Sequence, residues 1–240
     1  METTTYIALS RQMVLRRRMD VIANNIANMT ATGFRAETLL AEEVPVDVGP
    51  RQTVRYVQDV ALVRDLTPGS IIPTSNPFDL AIEGEGYFTV ATPEGDRYTR
   101  NGQFRLNEIG EIVTAAGDPV LDDGNAPIAV PTDAGPVTIA ADGTVSTPDV
   151  TFGRIALVTF EDHQDMEKAG DGLYRTEQTP RPAEGVQMVQ GMIEGSNVKA
   201  VVEMTDMMST LRAYQGTQKI IEAHHELERN MVERMLETGG

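Results

Sequence analysis

The chain has 240 residues, 40% of them hydrophobic, with no cysteine, no tryptophan and a formal net charge of −16. The length allows one sizeable core, or one domain with a helical appendage, and the missing cysteine excludes disulfides, thiolate metal sites and a cysteine nucleophile. Residues 1–35 carry a net +3 and residues 196–240 a net −2, leaving −17 in the middle, a balance that argues against phosphate-backbone partners and so against nucleic-acid binding.

All thirteen prolines lie between Pro45 and Pro182, so both ends are free to be helical. In the N-terminal segment, Tyr6, Leu9 and Met13 form one apolar set and Leu15, Met19, Ile22, Ile26 and Met29 a second. Spacings of three and four place each set on one helix face, with a slip near Arg16, Arg17 and Arg18. Two overlapping stripes predict a helix that touches more than one neighbour. Those arginines, with Arg11, also break up any apolar run that a cleavable signal peptide needs. Gly33 is the expected helix stop. The cluster Asn24, Asn25 and Asn28 fits turn chemistry and backbone capping better than ligand binding.

From Val44 to about Thr176 the apolar period changes to two. Strands are predicted at 54–63, 80–82, 87–91, 97–100, 104–106, 111–114, 137–139, 144–146, 155–160 and 173–175. Hairpin loops are predicted at 107–110 and 142–143. This is the pattern of an antiparallel β domain and not of a cofactor-binding α/β fold. Gly84-Glu85-Gly86 lacks the third glycine and following helix of a dinucleotide fingerprint. Residues 118–125 hold several oxygen ligands at spacings that do not match a calcium loop. No cofactor, metal or catalytic site is therefore expected. One enzymatic alternative, a periplasmic hydrolase, would centre on His163 with Asp162 and Asp165.

The C-terminal segment carries a heptad seam through Ala200, Met204, Met207, Leu211, Tyr214, Gln218, Ile221, His225, Glu228, Val232 and Met235. Burying one Leu, Ile or Met side chain contributes about 1.5–3 kcal/mol, so a seam of this length demands a cover. Gly216 interrupts it at a cost of about 1 kcal/mol relative to alanine, which fits close helix approach or a tolerated accident equally well.

The fold class expected is therefore α+β: N- and C-terminal helices packed as a coiled-coil-like layer around a central, mainly antiparallel β domain. The expected division is 1–35 as a helical assembly segment and 36–190 as the β-rich middle, with extended connections at 36–75 and 177–190. Residues 191–240 form the second helical assembly segment.

Several blocks, taken in order, carry a resemblance. Ala23-Asn24-Asn25-Ile26-Ala27-Asn28 with Thr32-Gly33-Phe34-Arg35 resembles the N-terminal signature of flagellar basal-body rod and hook proteins. Residues 76–88, Tyr98-Thr99-Arg100-Asn101-Gly102-Gln103-Phe104 and residues 117–121 are similar to the family's β-domain blocks. Gly195-Ser196-Asn197-Val198, Glu203-Met204 and Leu211-Arg212-Ala213-Tyr214 resemble its C-terminal signature. The resemblance implies a structural subunit of the axial tube that is no enzyme and binds no cofactor. Within the family, the short length and modest middle resemble a proximal-rod subunit, with a distal-rod subunit as the alternative.

The implied partners are other copies of the chain, neighbouring rod proteins and, in transit, the flagellar type III export apparatus. Export without a cleaved signal, a place in the rod within the periplasmic space and no membrane insertion are implied too. The implied assembly residues are Met19, Ile22, Asn24, Asn25, Ile26, Asn28, Gly33, Phe34 and Val198, then Met204, Met207, Leu211, Tyr214, Ile221, Val232 and Met235. A non-axial coiled-coil surface protein is the remaining alternative, and it would form a discrete oligomer in isolation.

Overall fold

The computed structural model describes residues 2–49, 52–131 and 134–238. They form two compact units. One consists of Met1–Ala27, Glu37–Arg64 and Lys199–Gly240, the other of Asn28–Ala36 and Asp65–Val198. The grouping differs from the three consecutive segments expected from sequence, because residues 37–64 fall in with the terminal helices.

The first unit holds helix α1 (Glu2–Ala27), strands β1 (Glu37–Gly49) and β2 (Gln52–Arg64), and helix α2 (Ala200–Thr238). Helix α1 packs against α2 and against both strands, which accounts for the second of its apolar sets, where Ile22 is buried and Leu15, Met19 and Ile26 are half-buried. It ends at Ala27, six residues before the predicted stop at Gly33. The backbone leaves the helix through a turn in which Ala31 N–H donates to Asn28 O. Strands β1 and β2 pair antiparallel from Glu37 opposite Arg64 to Gly49 opposite Gln52, with register shifts after Leu40 and Asp47. Sequence periodicity predicts β2 and misses β1, whose alternation is broken by the bulge at Leu40/Ala41 and by Pro45. Proline is tolerated there because β1 has a partner on one side only.

Helix α2 starts where the Ser196 hydroxyl accepts from Val198 N–H and the Lys199 carbonyl accepts from Val202 and Glu203 N–H. Glu203 lies in its first turn, where a carboxylate complements the helix dipole. Asn25, two residues before the end of α1, bonds Glu203 at the start of α2. Ala8, Ile22, Thr210 and Thr217 are buried further along the pair. The two helices therefore run antiparallel.

The second unit is β-rich. Its largest sheet has the strand order 167–170, 173–175, 95–99, 87–92, 157–159, 181–182, antiparallel throughout. A three-stranded sheet and three two-stranded ones surround it, including pairs of 187–190 with 80–83 and 192–194 with 71–73. Both predicted hairpin loops are present: Asn107–Gly110 joins 105–106 to 112–113, and Gly143 N–H donates to Ala140 O before strand 144–146. Strand 87–92 has both faces covered. Phe88 and Val90 enter the main core with Leu80, Phe104 and Ile155, while Tyr87 joins Tyr98, Phe160, Met166 and Tyr174 in an aromatic cluster. Phe88 meets Phe104 edge-on at 5.0 Å, a favoured geometry for ring pairs.

Candidate assembly surface

On α2 the inward face runs through Glu203, Met207, Thr210, Tyr214, Thr217, Ile221 and His224, all buried or half-buried. Half of the predicted seam, Met207, Tyr214 and Ile221, is therefore used inside the chain. The other half is displaced by one residue: Met204, Leu211, Gln218 and His225 are exposed, and Glu203, Thr210, Thr217 and His224 take the inward places. The polar line escapes an apolar template but satisfies itself locally, as when Thr217 Oγ1 donates to Ala213 O. Glu228 and Ala200 are half-buried, and the side chains of Val232 and Met235 lie outside the described ones.

What remains outward is apolar. Val201, Met204, Met208 and Leu211 repeat at three and four residues on α2, and Tyr6, Leu9 and Met13 do the same on α1, all of them exposed. Ile220, Leu227 and Met231 are exposed as well, on another side of the helix nearer its C-terminus. Single exposed apolar side chains are ordinary; stripes sustained over several turns mark an interaction surface. Within this unit the predicted Ile22 is buried, Met19 and Ile26 are half-buried and Asn24 is exposed.

Asn25 is buried and acts as a strand-edge mimic. Its Oδ1 accepts from Glu37 N–H at 3.0 Å, and its Nδ2 donates to Glu37 O at 2.8 Å and to Glu203 Oε1 at 3.2 Å. Glu37 in turn pairs with the buried Arg64 at 3.4 Å. One side chain thus ties the end of α1, the start of β1 and the start of α2. Asn25→Ala strands the N–H and the carbonyl of half-buried Glu37 at once, so it should cost about 1–3 kcal/mol in urea unfolding of the full chain. Asn25→Asp should cost as much, since it keeps the acceptor and loses both donated bonds.

In the second unit, Glu194 is 2% exposed and lies between two arginines. Its Oε1 is 2.7 Å from Arg35 Nη2 and accepts from Gly69 N–H; its Oε2 is 2.7 Å from Arg100 Nη2 and accepts from Arg100 Nε. The spare donors are also used. Arg35 Nη1 donates to the Leu66 and Thr67 carbonyls, and Arg100 Nη1 to those of Gly84 and Gly86. Burial pushes the Arg35 guanidinium below its ordinary value, against the pull of Glu194.

Beside this triad, Asn197 Oδ1 accepts from Ala36 N–H, and its Nδ2 donates to the Asp65 and Thr67 carbonyls. Glycines let these segments touch. Gly33, at φ +68°, has its missing Cβ directed at the Arg100 carbonyl, and Gly69 is pressed against the Gly195 carbonyl. Phe34 lies half-buried with Lys168 Nζ 4.6 Å from its ring centroid, and Asn28 and Val198 are half-buried.

Three sequence blocks of the resemblance, 32–35, 98–104 and 195–198, therefore converge on one clasp. Arg35, Arg100, Glu194 and Asn197 were not expected as site residues. The signal for Arg35, Arg100 and Asn197 was their place inside those blocks, while Glu194 stands just before the third.

Profiles of known families match at three places: the flagella basal body rod protein profile at 6–35, the flagellar hook protein FlgE/F/G D1 domain at 81–147, and the flagellar basal body rod FlgEFG protein C-terminal at 189–234. The flagellar basal-body rod protein FlgF of Caulobacter vibrioides is 42% identical, over 98% of both chains. The chain belongs to the flagellar basal-body rod protein family. FlgF of Salmonella typhimurium is 34% identical over 92% of this chain and 93% of its own. The FlgG rod protein of Bacillus subtilis is 30% identical over 95% and 97%. Rod-family membership makes the chain a structural protein and not an enzyme, which removes the hydrolase alternative. In the structure His163 stands 3.9 Å from Glu85 and tilts against Tyr87, while Asp162 Oδ1 accepts from Gln164 N–H.

Proposed function

We propose that this chain is a subunit of the proximal part of the flagellar rod, polymerising through its terminal helices into the axial tube around the export channel. The observation that carries the reading is the pair of outward apolar stripes on α1 and α2, which the chain itself leaves uncovered. Other copies and neighbouring rod proteins are the natural cover, through coiled-coil-like helix packing. The contact has to be heterologous, since a head-to-tail interface that does not close generates a helical tube.

Segments 1–35 and 191–240 are then the assembly segments, with Met204 and Leu211 facing neighbours. Met207, Tyr214 and Ile221 shape the hairpin that presents them. Passage through the type III export apparatus suits a chain without cysteine, since no disulfide has to be opened for threading. No helix among the described residues is long and apolar enough to cross a membrane. A distal-rod place remains the alternative within the family.

Leu211→Asp tests the proposal. Leu211 is exposed, so the melting curve of the isolated chain should stay within about 0.5 kcal/mol of the parent. Incorporation into isolated basal bodies should fall at least about tenfold, because a carboxylate would be desolvated at the interface. Normal incorporation of a folded Leu211→Asp chain would overturn the reading. Ile26→Asp is a weaker probe, since its half-buried side chain also serves the chain's own packing.

A further inference from the structure

The outward stripes carry a chemistry beyond packing. Met13 is 66% exposed, Met204 50% and Met208 57%, whereas Met166 and Met188 in the β unit are 2% and 3% exposed. With cysteine absent, exposed thioethers are the oxidisable sulfurs, and among the described residues these three are more exposed than Met29 and Met231, at 41% each. We propose that Met13, Met204 and Met208 form a modification site for peroxide-class oxidants, and that their oxidation blocks incorporation of the free subunit. The inference rests on the assembly reading above.

In each step the thioether sulfur attacks one oxygen of hydrogen peroxide. The O–O bond breaks, an S–O bond forms, and proton transfer to the departing hydroxide releases water. Sulfur loses two electrons and the peroxide gains them. The product is a polar sulfoxide where the stripe needs an apolar, adaptable side chain. Met204 and Met208 are one helical turn apart on the stripe that ends at Leu211, so two oxidations place two sulfoxides side by side on one face. Once a neighbour covers the stripe the sulfurs are shielded, so the sensitivity belongs to the unassembled chain. Sulfoxide formation is reversed by methionine sulfoxide reductases, which makes the block a switch.

The test has two stages on the full chain. Peptide mass mapping after limited hydrogen peroxide should find Met13, Met204 and Met208 oxidised before Met166 and Met188. Equal rates at all five would overturn the site. Then cells making either the parent or a Met13→Leu/Met204→Leu/Met208→Leu chain receive a hydrogen peroxide pulse, and newly incorporated subunit in isolated basal bodies is quantified. The parent should fall at least about tenfold while the leucine chain holds its untreated level. An equal fall in both, or no fall in a parent shown to be oxidised, would overturn the inference and leave the assembly reading standing. An untreated parent absent from rods would overturn the assembly reading itself.

Discussion

Glu194→Ala should destabilise the β unit by about 3–5 kcal/mol, the range for breaking a buried ion pair from one side. The carboxylate faces Arg35 and Arg100 at 2.7 Å each, and all three side chains are buried. Removing it leaves two guanidinium groups in mutual repulsion with no counter-charge, and it strands the Gly69 N–H. Equilibrium urea unfolding followed by tyrosine fluorescence reads the loss, because Tyr87, Tyr98 and Tyr174 sit in the buried aromatic cluster of this unit. Glu194→Gln keeps the shape and some of the hydrogen bonds, so it should cost less than alanine while remaining clearly destabilising. The control is Glu167→Ala, which breaks the exposed pair with Arg175 and should cost under about 1 kcal/mol. Equal effects of Glu194→Ala and Glu167→Ala would mean that the clasp contributes nothing beyond a surface pair.

The position of the clasp explains its investment in charge. It fastens segment 32–36 to 65–70 and to 194–197, so the points where the chain enters and leaves the β unit are held together. A purely apolar fastening would hold as well but would specify less. The planar guanidinium forks of Arg35 and Arg100 each fix a direction as well as a distance.

The sequence made the helices and most of the β unit legible because their periods are long or clean. The α2 pattern runs through its whole length, and strands 87–92 and 80–83 alternate or are wholly apolar between turn residues. Strand β1 was hidden because a bulge shifts its period partway along. The short strands 151–154, 167–170, 181–182 and 187–190 carry too few residues to show any period. The seam on α2 was placed one residue off on half its layers for a physical reason: an apolar template prefers Met204 and Leu211 to Glu203 and Thr210. The inward positions are polar because Asn25 receives Glu203 and because Thr217 bonds its own helix. The clasp was legible only through the blocks that hold Arg35, Arg100 and Asn197; Glu194 was not, since residues 35, 100 and 194 are brought together by topology and no local pattern encodes that meeting.

Gly102→Ala and Gly216→Ala should move stability in opposite directions, although each adds one methyl group. At Gly102 the new Cβ would run into the Leu80 carbonyl oxygen and reach 3.2 Å from Phe88 Cε2. Leu80 N–H donates to Gly102 O, and Leu80 and Phe88 are both fully buried. The backbones cannot part without breaking that bond and opening the core. The expected loss is about 3 kcal/mol or more, at the top of the range for overpacking, and failure of the β unit to fold is its extreme form. At Gly216 nothing among the described residues, its own helix backbone aside, lies within 4 Å of the added Cβ, and the site is a helix interior. Alanine there should stabilise α2 by about 1 kcal/mol through helix propensity alone. Thermal melting by far-UV circular dichroism measures both signs, and a destabilised Gly216→Ala chain would contradict the open surroundings of that glycine. Basal-body incorporation of the stabilised chain then separates the two readings of Gly216. Normal incorporation makes the glycine a tolerated cost. Exclusion of a chain that folds better than its parent makes it a point where a neighbouring helix comes too close for a side chain.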